Sequence, residues 1–588
     1  MGPVRAWRTP LLWALVSALL CSLGHWVILA KNHGDYTPFA VSPPVSSISL
    51  DETTSYAPAA RRFMTTGRLP AEVDDHELRA AAAVPFLPLA LLGAIGRLFG
   101  SLDAAFIAAD VIFPAIAFGL FYAISSGVVA SATHRAAASL ASLFIPFGPR
   151  NFFWSGYDAL LAKPDFARTP QPEVSLVVLL AAATLTARAL RTDRKAAAVV
   201  VSAAVIYCYY FYAIAWLIAL TLAVICAFIY GRRQIARRAL IILGGTILLG
   251  SPYFAVGLIG QLQGGQGNLL ARVGAKTHAP YLPGLALLLV GAGVLWRFGR
   301  DFLQRDEEWR ERLGVLCLLA LAGVAGLNAQ VLTGYDAQHT HYWNRLVLPL
   351  AALIAACAGF RYIEKAMPER GRLFEVASLA ISILLVANVG VRQIAVAELT
   401  APSLKASRPE VEILDWTARN TAPGEVIGAL SPNIILLTPA LTADYAYVPF
   451  ALRSLDSDAD ILDRYLQLAL ACGVTPERFA AIARAPGPTW IPSYLAYTLG
   501  RGLSAQAVID AYGAARPAGP ASRPRYPGCV HGRAAAAGAQ ISGGEDRPSQ
   551  LCVRTDRPDR RCVRPSQAVE RVQQEELLLR FECTPTSG

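Results

Sequence analysis

The chain has 588 residues, a mean hydropathy of +0.41 and only 16% charged residues, against roughly 25% in soluble domains. No single soluble core buries so much apolar chain, which excludes an ordinary water-soluble enzyme. The formal charge of +11 does not imply a nucleic-acid partner, because Lys and Arg cluster in short loops between apolar runs and no nucleic-acid motif accompanies them.

The first apolar run, 11–30, follows Arg5 and Arg8. It is long, and no Ala-x-Ala-like site follows closely, so it reads as an uncleaved first helix rather than a signal peptide. Further runs near 103–124, 136–149, 174–190, 196–212, 213–230, 239–260, 281–297, 312–331, 346–360 and 374–397 approach or exceed bilayer length. They predict an α-helical polytopic membrane protein of about eleven transmembrane helices. Arg188, Arg191, Arg194 and Lys195 follow one run; Arg232, Arg233, Arg237 and Arg238 follow another. Arg297, Arg300, Arg305, Arg310 and Arg312, and then Arg361, Lys365, Arg370 and Arg372, fill two later loops. All fall on one side, which the positive-inside bias makes cytoplasmic, with the N-terminus inside and the C-terminus outside. A crossing at 84–100 would break that pattern, so this stretch reads as a juxtamembrane segment.

Half of the ten cysteines (Cys21, Cys208, Cys226, Cys317 and Cys357) lie in apolar runs and read as small buried hydrophobes. Asp110, inside an apolar run, is expected to face protein rather than lipid. Residues 401–515 predict a small mixed α/β non-cytoplasmic domain. Helices are expected over Pro409–Asn420, Asp458–Leu470 and Pro476–Ala485, and strands over Glu425–Ala429 and Ile434–Thr438. From 516 to 588 the composition turns to Arg, Pro, Gly and Ala and predicts a disordered tail.

The chemistry concentrates in the loops assigned outside. Asp51 and Glu52 open a helical stretch in the first of these, 31–102, where negative charge suits the helix dipole. Tyr56, Ala60, Arg61 and Gly67 follow, and Leu98-Phe99-Gly100 closes the juxtamembrane segment. His339, His341 and Arg345 precede a Leu-Pro at 348–349, and Asp158 lies in an earlier loop. Taken singly, an acidic pair is more often a solvated surface than a catalytic one, and Arg345 reads equally as a snorkelling side chain.

In combination, the order of these elements over residues 1–400 resembles the membrane-embedded type C glycosyltransferase superfamily. That superfamily includes protein O-mannosyltransferases and lipid A aminoarabinose transferases. The Lys-Pro that often precedes the juxtamembrane segment in the latter is missing here. The resemblance implies transfer of a sugar from a polyprenyl phosphate donor to a lipid, glycan or protein acceptor, in a bacterial inner membrane. It implies Asp51 as the general base and Glu52 as a group holding Asp51, the acceptor or a divalent cation. It implies Arg345, with His339 and His341, at the donor phosphate, and Tyr56 and Asp158 as further substrate contacts. Arg168 and Lys276 are lesser phosphate candidates. The alternative class is a transporter or flippase for a lipid-linked or amphiphilic substrate. That class favours internal repeats around a midplane site, and no clear repeat is visible.

Overall fold

The computed structural model describes residues 8–39, 52–68, 85–144, 169–192, 194–262, 275–291, 293, 308–336, 340–450, 454, 456–484, 505–515 and 551–554. In chain order its helices are α1 (Arg8–Lys31), α2 (Ala57–Thr66), α3 (Leu87–Phe99), α4 (Leu102–Ser126), α5 (Ala132–Phe144), α6 (Glu173–Arg191) and α7 (Ala196–Ile206). Then follow α8 (Tyr210–Ile229), α9 (Arg233–Leu262), α10 (Leu282–Gly291), α11 (Glu308–Gly326), α12 (Ala329–Thr333), α13 (Leu348–Ala366) and α14 (Gly371–Thr400). The last are α15 (Pro409–Asn420), α16 (Pro432–Thr442), α17 (Asp458–Ala471), α18 (Pro476–Arg484) and α19 (Ala505–Ala515).

Seven helices among the described residues are long and apolar enough to cross a bilayer: Arg8–Lys31, Leu102–Ser126, Glu173–Arg191, Tyr210–Ile229, Arg233–Ile259, Trp343–Ala366 and Pro368–Leu404. The chain is therefore a helical membrane protein. Shorter apolar helices stand at three more of the expected crossings: Ala196–Ile206, Leu282–Gly291 and Arg312–Gly326. The 13 residues of α3 rise only about 20 Å, short of the roughly 30 Å of hydrocarbon. One expected boundary moves. The break lies at Tyr207–Tyr209, where Tyr209 is extended, and not between 212 and 213.

The chain divides into two compact units. The first comprises Met1–Gly34, Ala83–Val256 and Gly274–Pro402. Its core joins α1, α4, α5, α6, α8, α11 and α13 through residues such as Phe118, Leu140, Leu179, Trp216, Leu319 and Leu353, all nearly inaccessible. Basic side chains gather at one end of it. Arg312 donates to the carbonyl of Ala123, Arg361 to that of Val128, and Arg135 to those of Val129 and Ala130. They thereby satisfy carbonyls in the last turn of α4 and in the loop just after it. The Glu364 carboxylate accepts from the amides of Ala130 and Ser131 at 2.8 Å each. Arg238 likewise caps α6 through the carbonyl of Leu190.

The second unit comprises Asp35–Ala82, Gly257–Val273 and Ser403–Gly588. Here α2 packs on α16, and α16 on α15. Strands Val426–Ala429 (β3) and Tyr445–Ala446 (β4) pair in parallel. Within the segment expected to be disordered, Leu551–Arg554 (β5) pairs antiparallel with β3, Ile427 opposite Val553. (The first two strands, Ala275–Lys276 and Tyr335–Asp336, form a separate ribbon.) Residues 434–438, expected as a strand, lie inside α16. A short apolar run has no decisive period, and the helix starts at Pro432 after an extended Ser431 and ends at the left-handed Ala443. Farther on, Tyr512 stacks on Phe479 at 3.9 Å between centroids and donates to the Val474 carbonyl, joining α19 to α18.

Candidate functional site

Polar side chains of the first unit collect at one level, far from the basic end. Counting along each helix, His25 lies about 26 Å from Arg8, Asp110 about 24 Å from Ser126, and Arg345 about 30 Å from Lys365. Within this layer Asp110 is fully buried and His25 is 4% exposed. His25 Nε2 lies 2.5 Å from Asp110 Oδ2, and the Thr169 hydroxyl donates to Oδ1 of the same carboxylate. Asp110 thus faces protein, as expected of a carboxylate inside an apolar helix. Pro114 lies one α-turn on and supplies no amide to the Asp110 carbonyl.

The segment 169–172 leads into α6. Gln171 Nε2 donates to the carbonyls of Cys208 at 2.8 Å and Pro85 at 3.2 Å. Ser175 also donates to Cys208, and the Leu87 amide donates to the Tyr207 carbonyl. These bonds explain why the chain leaves helical geometry between α7 and α8. Irregular backbone inside an apolar bundle needs such internal partners. Glu173, at the first turn of α6, is 1% exposed and set where the helix dipole favours an anion.

The break presents Tyr209 to the sequence-predicted cation. Arg345 lies in a π turn, Trp343–Val347, that opens the helix continued by α13. It is 6% exposed. Arg345 Nη1 donates to the Tyr209 hydroxyl at 2.5 Å, and that hydroxyl lies 2.9 Å from His341 Nδ1. With Nδ1 accepting from Tyr209, the proton of a neutral His341 sits on Nε2. Phe211 wedges between His341 and Tyr342, its ring 4.7 Å from one and 5.1 Å from the other. Behind the turn, α11 approaches closely: a Cβ at Gly326 would stand 2.5 Å from the Tyr342 ring.

Among the described residues no carboxylate pairs with Arg345. A guanidinium removed from water without a counterion costs several kcal/mol. Its partners here are a phenol and an imidazole, neither of which neutralises it. The arrangement suits a ligand that brings its own negative charge, with Arg345 supplying the charge and donors of an oxyanion site.

The other predicted residues divide. Asp51, Asp158, His339 and Arg168 lie outside the described residues. Glu52 opens a π turn, Glu52–Tyr56, that leads into α2, and its side chain lies outside the description. Tyr56 is half-buried before the first residue of α2. Arg61 donates to the Ala440 carbonyl, and Arg62 donates to that of Ala443 and stacks 3.8 Å over the Tyr445 ring. Gly67 ends α2 at φ +75. Lys276 lies in the ribbon strand opposite Tyr335, its side chain outside the description. Tyr209, Gln171 and Thr169 went unnoticed in the sequence. The alternating prolines of Thr169-Pro-Gln-Pro-Glu173 and the aromatic run Tyr207–Tyr212 were the available signals. Among the described residues no group of three or more His, Cys, Asp or Glu is placed to hold a metal ion.

This fold and layer define a helical membrane protein with a buried arginine that, among the described residues, has no carboxylate partner. No family model matches the chain, and no curated protein matches its sequence.

Proposed function

We propose that the chain transfers a sugar from a polyprenyl phosphate donor to an acceptor on the non-cytoplasmic face of the membrane. The observation that carries this reading is Arg345, buried beside Tyr209 and His341 without a carboxylate partner among the described residues. A phosphate monoester or diester supplies the missing charge, and a donor whose tail lies in lipid brings it to a helical membrane bundle. The expelled group is a phosphate, so the acceptor hydroxyl needs only a base as its bond to the anomeric carbon forms. Asp51 is assigned that role, with Glu52 beside it in sequence. The reading takes the eleven-span topology with the basic loops inside, and places 31–102 and the mixed domain after 400 outside.

The test measures sugar transfer from a labelled polyprenyl phosphate sugar pool in membranes holding the full chain. Asp51→Asn should lower transfer by about 10²–10⁴-fold, the scale of general-base catalysis, with donor affinity little changed. Arg345→Gln should weaken donor binding instead. Full transfer by Asp51→Asn at normal expression would refute the assignment, and movement of labelled lipid between leaflets without transfer would favour a flippase.

A further inference from the structure

We propose that Asp110 is a positioning residue for the Arg345 site, acting through Thr169, Gln171 and the backbone break that carries Tyr209. The proposal rests on the reading of Arg345 as a phosphate-binding residue.

A continuous set of contacts links the two ends. His25 and Thr169 both engage the Asp110 carboxylate, one on each oxygen. Thr169 belongs to the same four-residue segment as Gln171. Both hydrogens of the Gln171 amide are used, one on Cys208 and one on Pro85. The residue after Cys208 is Tyr209, whose hydroxyl receives Arg345 and meets His341. A carboxylate buried at this depth is costly to keep. Serving only as a helix contact, it would be replaced at little loss by an alkyl group. Its geometry instead pins a segment with little regular hydrogen bonding of its own, and that segment caps the irregular turn on which Tyr209 stands.

The consequence is directional. Freeing Thr169 should loosen Gln171, release the Cys208 carbonyl and let Tyr209 drift from Arg345. Asp110 would not touch the donor, so chemistry after binding should persist. Thr169→Val keeps shape and removes the hydroxyl, leaving the His25 contact with Asp110 in place. Asp110→Asn retains an oxygen for Thr169.

The experiment uses the full chain in lipid nanodiscs. Amide hydrogen exchange is followed by mass spectrometry, and binding of decaprenyl phosphate by fluorescence. In Thr169→Val and Asp110→Ala, exchange should rise in peptides covering 205–213 and 340–347 and stay unchanged at the basic end, 126–135. Decaprenyl phosphate affinity should fall about tenfold, the donor KM should rise with kcat held within about twofold, and Asp110→Asn should restore most of both. Unchanged exchange at 205–213, or a rise spread evenly over the bundle, overturns the positioning role. A wild-type chain that does not bind decaprenyl phosphate sinks the functional reading instead, and the exchange pattern then decides the positioning role by itself.

Discussion

Tyr212 donates its hydroxyl to the carbonyl of Arg345 at 2.8 Å. In an α-helix that carbonyl would receive the amide of residue 349, but residue 349 is proline and has none. The phenol therefore supplies this carbonyl with a donor that residue 349 cannot, at the residue that carries the buried charge.

This substitution of donors makes a coupled prediction. Tyr212→Phe strands a buried carbonyl and should destabilise the protein by about 1–3 kcal/mol. Pro349→Ala returns an amide to the same position. In that background the Tyr212→Phe cost should shrink to a few tenths of a kcal/mol, and a double-mutant cycle of thermal unfolding in detergent reads the difference. Additive costs would show that the two groups do not serve the same carbonyl.

Arg345 should be held for binding at the expense of stability. Arg345→Met removes a buried guanidinium that has no counterion among the described residues, and Tyr209 keeps His341 as a partner. The ligand-free variant should be more stable than wild type by roughly 1–3 kcal/mol. It should also lose all thermal stabilisation by decaprenyl phosphate. Ligand-free unfolding scans of the two proteins check the sign, and a lower midpoint for the variant would mean that the charge is compensated.

The approach of α11 to the π turn depends on a missing side chain. A methyl group at Gly326 meets the Tyr342 ring, which is packed against Phe211 and has no room to retreat. Gly326→Ala should cost about 1–3 kcal/mol by overpacking. It should also weaken decaprenyl phosphate binding, since Tyr342 immediately precedes the turn. Gly359→Ala, which meets nothing within 4 Å among the described residues, is the helical control.

In the second unit pH acts through Asp444. Its carboxylate is fully buried, and burial pushes its pKa up to about 6, with the nearby Glu425 charge adding to the rise. Hydrogen bonds from Thr421 and from the amide of Glu425 oppose that rise without cancelling it. The folded form holds its proton more tightly than the unfolded chain. The contribution to stability is therefore complete below about pH 4 and is lost as pH rises to about 6. Peptides covering 421–447 should show protection that falls across this window once intrinsic exchange rates are corrected. Asp444→Asn, which keeps one oxygen to accept from the amides of Gly424 and Glu425 and never ionises, should flatten the profile.

The helical membrane class was plain in the apolar runs, because bilayer length is a strong constraint and soluble folds rarely repeat it. Arg345 and His341 were also legible, as polar residues at the mouth of an apolar run before Leu348-Pro349. Tyr209 was not. Tyr207–Tyr212 contains no Gly or Pro, so the break there has no local signature and is drawn instead by Gln171 and Leu87 from distant sequence. The partnership of His25 with Asp110 spans 85 positions and was invisible for the same reason. The run at 434–438 is helical where a strand is expected, because full burial on all sides erases the alternation that separates strand from helix.

The contact between α1 and α14 bears on how the protein is made. Asn32 donates to the Ala401 carbonyl and Lys31 reaches that of Glu398, while Gly24 faces Gln393 closely. Arg8–Lys31 thus rests against Gly371–Thr400, with more than half of the chain emerging from the ribosome in between. Until then the polar flank of α1 must wait in the membrane or under a chaperone. A nascent chain arrested before residue 371 should therefore remain open along that seam, and a stop codon anywhere ahead of α14 should send the product to proteolysis rather than leave a partly working protein.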